Sequence, residues 1–206
     1  MSMPVKTFPP QPLRSVCVFS GSSPGVRPCH GEMAAALGRA LARRDLTLVF
    51  GGSHCGLMGV LADATLAAGG KVVGVMPQAL VAKERAHLGL TELVITEDMA
   101  SRKAAMAERS DAFVALPGGY GTLDELFEMV TWAQLGFHRK PLGLLNSGGF
   151  WDGMIGFLAQ VGAEGFIGGA GLALVQCEGD PEALLDRLAL GAPDPEFVWK
   201  GQPSGG

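Results

Sequence analysis

Seven short apolar runs, alternating with segments of helical spacing, limit most strongly what this chain can fold into. The runs cover 15–19, 47–50, 71–75, 92–95, 112–116, 141–145 and 172–175. They are rich in Val, Leu and Phe, and most lack polar alternation, which is how strands buried on both faces read. Helical patterns cover 32–43, 57–68, 101–109, 123–135, 150–161 and 181–188. Pro181 after Asp180 suits a helix start. This alternation predicts an α/β fold with a parallel sheet covered by helices on both faces. Ligands in such sheets sit beyond the carboxyl ends of the strands. Gly21-Ser22-Ser23, Gly51-Gly52-Ser53 and Gly118-Gly119-Tyr120-Gly121 each follow a strand-like run. Three glycine-rich loops are therefore expected to converge on one edge.

The length of 206 residues fits one domain with a full core, expected over 14–190. Residues 1–13, with four prolines, read as a loose leader, and 191–206 as a loose tail. A net charge of −4 with no basic stripe argues against a nucleic-acid partner. No uninterrupted apolar stretch reaches membrane-spanning length, so no membrane partner is expected. Cys17, Cys29, Cys55 and Cys177 form no C-x-x-C pair, which argues against a metal knuckle. Cys17 reads as a small core hydrophobe. Scattered thiols favour a cytoplasmic location. His30, His54, His87 and His138 lack ligand-like spacing and read as surface or loop residues with no metal role.

The strongest local signal is Leu116-Pro117-Gly118-Gly119-Tyr120-Gly121-Thr122-Leu123-Asp124-Glu125. Glycine lets the backbone approach a ligand without Cβ clashes. Amide N–H groups at a helix start, with the macrodipole behind them, then face an anion. Thr122 can cap the helix or donate to a phosphate oxygen. A plain strand–helix turn with a threonine cap is the competing reading. The loop is neither a P-loop nor the G-x-G-x-x-G dinucleotide fingerprint.

Glu125, in the helix's opening turn, either answers the dipole or faces the sugar of a bound nucleotide. Glycosidic cleavage passes through an oxocarbenium-like state that a carboxylate stabilises, or for which it activates water. Asp124 and Glu128 compete for that role, with Asp124 reading as a solvated charge. Arg102 and Lys103 near another helix start oppose its dipole, so they point to an anionic partner, either substrate phosphate or Glu125. A surface charge pair is the alternative, and Lys103 also reads as solvent-facing.

Arg102-Lys103, the 117–125 loop and Thr131-Trp132-Ala133-Gln134-Leu135-Gly136 together resemble the LONELY GUY (LOG) family, cytokinin riboside 5′-monophosphate phosphoribohydrolases long labelled lysine decarboxylase-like. Cys17-Val18-Phe19-Ser20-Gly21-Ser22-Ser23, Gly56-Leu57-Met58-Gly59, Gly74-Val75-Met76-Pro77 and Lys140-Pro141-Leu142-Gly143-Leu144-Leu145-Asn146 extend the likeness over about 14–190. The resemblance implies a Rossmann-like doubly wound parallel sheet, a homodimer, and no metal or redox cofactor. It implies hydrolysis of the N-glycosidic bond of N6-modified AMP, or of AMP, to free base and ribose 5-phosphate. By matching position, Arg102 and Glu125 form the catalytic pair. Glu84, Lys103, Gly118, Gly119, Tyr120, Gly121, Thr122 and Thr131 contact substrate, although a mid-helix threonine is more often a packing residue.

Three segments depart from the family pattern. Met99-Ala100-Ser101-Arg102-Lys103 stands for M-H-E-R-K, Gly51-Gly52-Ser53 for G-G-G, and Gly149-Phe150-Trp151 for G-Y-Y. Amino-acid decarboxylation normally needs an electron sink such as a pyridoxal-phosphate lysine, and nothing in the sequence marks one. The alternative to an enzyme is a nucleotide-sensing or cofactor-carrying module of the same fold.

Overall fold

The computed structural model describes residues 12–81 and 86–192. The leader and tail expected from the sequence lie largely outside the described residues. Seven strands form one all-parallel sheet: β1 (Ser15–Phe19), β2 (Thr47–Phe50), β3 (Val72–Pro77), β4 (Glu92–Thr96), β5 (Ala112–Ala115), β6 (Leu142–Leu145) and β7 (Val175–Glu178). Their order is β4-β3-β2-β1-β5-β6-β7. The chain winds outward from β1 to β4, then returns to the other side of β1 as β5. This doubly wound, Rossmann-like arrangement has its topological switch point between β1 and β5.

Helices cover both faces, and strand alternation decides what each face holds. Val16, Val18, Leu48, Phe50 and Val114 point to one face and pack against α1 (Pro28–Arg43), α2 (Gly56–Ala67) and α8 (Pro181–Ala189). Cys17, Phe19, Val49, Val75 and Phe113 point to the other, against α4 (Met99–Glu108) and α5 (Tyr120–Gln134). Trp151 and Leu126 close that second face over β5 and β6. Short helices α3 (Gln78–Val81) and α7 (Gly169–Leu172), together with α6 (Asp152–Ala163), complete the chain order. Cys17 is fully buried, as its apolar surroundings in the sequence suggest.

The sequence places the last strand at 172–175, but Gly169–Leu172 is a helical turn and β7 begins at Val175. A short apolar run cannot tell a buried strand from a buried helical turn. The reading of the histidines as surface or loop groups holds for His54, His87 and His138, which lie outside the helices and strands, but fails for His30. His30 lies buried within α1, where its Nδ1 meets Ser147 Oγ at 3.2 Å. His138 packs on Phe113, donates from Nε2 to the Met129 carbonyl at 3.1 Å, and accepts from the Lys140 amide on Nδ1 at 3.1 Å.

Only a neutral His138 ring can make both bonds. Burial, helped by the Lys140 charge, pushes its pKa from the ordinary 6.5 down to about 4. Between these values the unfolded chain takes up the proton and the folded one does not. Stability is therefore full above pH 6.5 and is lost as pH falls towards 4. With the ring partly in contact with solvent, the loss is expected to be about 2 kcal/mol. Urea midpoints of the wild type and His138→Gln, compared from neutral pH downward, check this: the wild type should lose the larger share.

Candidate active site

The three glycine-rich loops meet where the topology requires. The Gly21 amide donates to the Pro117 carbonyl at 3.0 Å, joining the loops after β1 and β5 across the switch point. The Leu57 amide donates to the Gly21 carbonyl at 3.0 Å, which brings in the loop after β2.

The loop after β5 turns directly into α5. Helix α5 starts at Tyr120 with Gly119 as N-cap and no side-chain cap. Thr122 is therefore the third residue of the helix's first turn and does not cap it, the first of the two roles read for it. Its side chain is buried and fills the space beside Gly118, where an added Cβ would overlap the Thr122 hydroxyl. Gly118 is glycine because Thr122 needs that space. The first amide bonded within the helix is that of Leu123, to the Gly119 carbonyl at 3.1 Å. The N–H groups of Tyr120, Gly121 and Thr122 precede it and are the ones a helix start turns outward.

Thr122, Glu125, Leu126 and Met129 form the buried stripe of α5. Glu125 thus lies in the second turn, not the first, roughly 5–8 Å along the axis from those amides. That separation suits one sugar between phosphate and carboxylate. Its partner is Arg102, also buried: Arg102 Nη1 lies 3.4 Å from Glu125 Oε1, with about a tenth or less of either side chain exposed. Arg102 Nε donates to the Val75 carbonyl at 3.1 Å and Nη2 to the Gly51 carbonyl at 3.4 Å. Two carbonyls, one within β3 and one just past β2, therefore fix the guanidinium, leaving Nη1 turned to Glu125. Gly51 must be glycine here, because a Cβ would overlap Arg102 Nη2. Of the two anionic partners considered for Arg102, the fold brings it Glu125. The guanidinium offsets the cost of burying that carboxylate.

The start of α4 explains how Arg102 keeps its aim despite the local departure from the family pattern. Asp98 caps the helix by accepting from the Ser101 amide at 2.8 Å, and Ser101 Oγ accepts from the Asp98 amide at 3.0 Å. Serine at this position closes the reciprocal capping box that a glutamate normally closes.

Lys103 is not solvent-facing. Its Nζ lies 3.0 Å from Asp124 Oδ2 and 3.0 Å from Glu128 Oε2. Burial alone would lower the Lys103 pKa, but hydrogen bonds to Glu128 and Asp124 and their charges outweigh it, so the pKa is raised. This clamp ties α4 to α5 beside the Arg102–Glu125 pair. It also commits Asp124 and Glu128 to Lys103, whereas Glu125 faces Arg102.

Thr131 departs from the packing expectation. It is exposed, so it is no packing residue, and its Oγ1 donates to the Phe127 carbonyl at 2.7 Å. It lines an open groove on the outer face of α5 with Tyr120, Asp124, Phe127 and Trp132. Glu84 lies outside the described residues. Sequence reasoning missed the carbonyls of Gly51 and Val75, which backbone chemistry supplies without any side-chain signature.

The fold and site together define a Rossmann-like protein with a glycine-rich helix start and a buried arginine–glutamate pair at its switch point. Residues 58–188 match a family model described as "Possible lysine decarboxylase". The chain is 50% identical over 155 residues to the cytokinin riboside 5′-monophosphate phosphoribohydrolase of Rhodococcoides fascians, covering 75% of this chain and 78% of that one. It is 42% identical over 185 residues to the enzyme of that name, LOG7, from Arabidopsis thaliana, covering 90% of this chain and 84% of that one. The chain belongs to the LOG family. Among solved structures, the molybdenum cofactor carrier protein of Chlamydomonas reinhardtii superposes with a TM-score of 0.67 at 22% identity, covering 86% of this chain and 99% of that one. At that identity the likeness shows the fold alone.

Proposed function

We propose that this protein hydrolyses the N-glycosidic bond of a nucleoside 5′-monophosphate, N6-modified AMP or AMP itself, releasing the free base and ribose 5-phosphate. The observation that carries this reading is the buried Arg102–Glu125 pair one turn along from the first amides of α5. Those amides, with Gly118 and Gly119 leading into them, hold the phosphate. Lys103 adds a cation close by. The ribose then lies along α5 with its anomeric carbon beside Glu125. As the bond from that carbon to the base nitrogen breaks, positive charge grows on the sugar, and the Glu125 carboxylate stabilises it and orients the attacking water. The water oxygen bonds to the anomeric carbon and the base leaves with a proton. Arg102 holds the carboxylate in place.

A sensing or carrier module would need the glycine loop but not a buried carboxylate paired with arginine, so the pair favours the enzyme. Incubating the pure protein with AMP and with isopentenyladenosine monophosphate, then quantifying free base, tests this. Tight binding with no base released would favour the module.

The reading includes a cytoplasmic homodimer. No disulfide joins the four cysteines, which suits a reducing compartment. Helix α6 has no buried residue, and Ile155, Phe157, Phe127 and Leu135 expose apolar surface on α6 and α5. A helix this apolar needs a cover, and a second copy related by a twofold axis supplies one. Met129, on the same helix as Phe127, belongs to the core instead. Sedimentation should give the mass of two chains. Among the described residues no helix is long and apolar enough to cross a membrane.

A further inference from the structure

The segment before β4 crosses the carboxyl edge of the sheet and touches the loop that anchors Arg102. Ala86 bridges antiparallel to Ser53, and the His87 amide donates to the Gly52 carbonyl at 2.9 Å. The His87 ring, its side chain only 11% exposed, is held from two sides. Its Nδ1 accepts from the Gly89 amide at 3.1 Å, and its Nε2 donates to Asp63 Oδ1, on α2, at 2.9 Å. Gly52 follows Gly51, whose carbonyl accepts from Arg102 Nη2 at 3.4 Å. A bond of that length has little slack, and a small shift of the carbonyl loses it.

We propose that His87 is a positioning residue for Arg102. The Asp63–His87–Gly89 linkage sets the turn at 87–89. The turn holds the Gly52 carbonyl, and the loop so held presents the Gly51 carbonyl that aims the guanidinium at Glu125. His87 itself touches no reacting atom. The inference rests on the phosphoribohydrolase reading and adds to it a residue that acts at a distance on the catalytic pair.

The test measures kcat and KM for adenine release from AMP by the full chain and its variants. His87→Ala should lower kcat about tenfold with KM unchanged within about twofold, since small misplacements of a reacting group cost rate. His87→Asn, whose amide oxygen can accept from the Gly89 amide as in an Asx turn, should recover part of the loss. Asp63→Ala should lower kcat about threefold and, lying on the surface, serves should the His87 variants not fold. In an Arg102→Lys background, His87→Ala should add no further loss, because its effect runs through Arg102. Unchanged kcat in both His87→Ala and Asp63→Ala overturns the inference, as does the same fold-loss in the Arg102→Lys background. A loss confined to KM also overturns it, since the segment would then act on substrate directly. Wild-type protein that releases no adenine overturns the phosphoribohydrolase reading and this inference with it; active wild type with unaffected variants overturns this inference alone.

Discussion

Glu125→Gln is expected to lower kcat for base release by about a thousandfold while the chain still folds. Glutamine keeps the length and shape of the side chain, so the stripe of Thr122, Leu126 and Met129 stays packed. It loses the negative charge that meets the sugar cation and the basicity that draws a proton from water. The choice of glutamine over alanine follows from burial. Arg102 lies beside Glu125 with 7% of its surface exposed. Truncating the carboxylate to alanine strands that charge, at a typical cost of about 3–5 kcal/mol. An amide oxygen still accepts from Nη1 and limits the damage. Turnover at saturating AMP, with a urea midpoint for each variant, separates lost chemistry from lost fold. Unchanged turnover in Glu125→Gln would remove the carboxylate from the mechanism.

Gly121→Ala is expected to keep wild-type stability and Gly119→Ala to lose about 1 kcal/mol or less, yet both should raise KM for AMP by roughly a hundredfold, the cost of a misplaced phosphate. At either position an added Cβ would meet no protein atom within 4 Å. The Gly119 backbone, at φ −98° and ψ −153°, is one alanine adopts readily. Packing therefore has no need of glycine there; alanine at Gly121, inside the helix, is favourable, while at the N-cap Gly119 it costs about 1 kcal/mol or less. Any penalty in KM must come from what approaches the backbone, which is the phosphate in this account. Gly118→Ala is the contrast: its methyl would overlap the Thr122 hydroxyl, so stability should fall as well. Wild-type KM in both Gly119→Ala and Gly121→Ala would mean that the phosphate binds elsewhere.

Much of this site was legible in the chain because glycine and apolar runs report backbone geometry directly. The bounds of β1 and β2 agree with those of the apolar runs, since strands in a parallel sheet are apolar on both sides. The convergence of three glycine loops followed from strand–loop order alone. The Arg102–Glu125 pairing was one of two partners that the helix-start argument allowed; choosing between them needed the crossing of α4 and α5. Lys103 shows the limit of local reasoning. On its own helix it reads as an exposed charge, and it is held by Asp124 and Glu128, which lie over twenty positions further along the chain. Thr131 is exposed rather than packed for a related reason: its place on α5 fixes an angle around the axis, but nothing local says which angle meets the core. His30 was misread because its partner is a distant serine hydroxyl. The anchors of Arg102 are carbonyls, and a carbonyl carries no letter in the sequence.

The decisive measurement is a crystal structure of Glu125→Gln with AMP bound. The account predicts the phosphate on the amides of Tyr120, Gly121 and Thr122, with the anomeric carbon within contact distance of residue 125. A phosphate bound at another edge of the sheet, or a sugar turned away from that side chain, would contradict it.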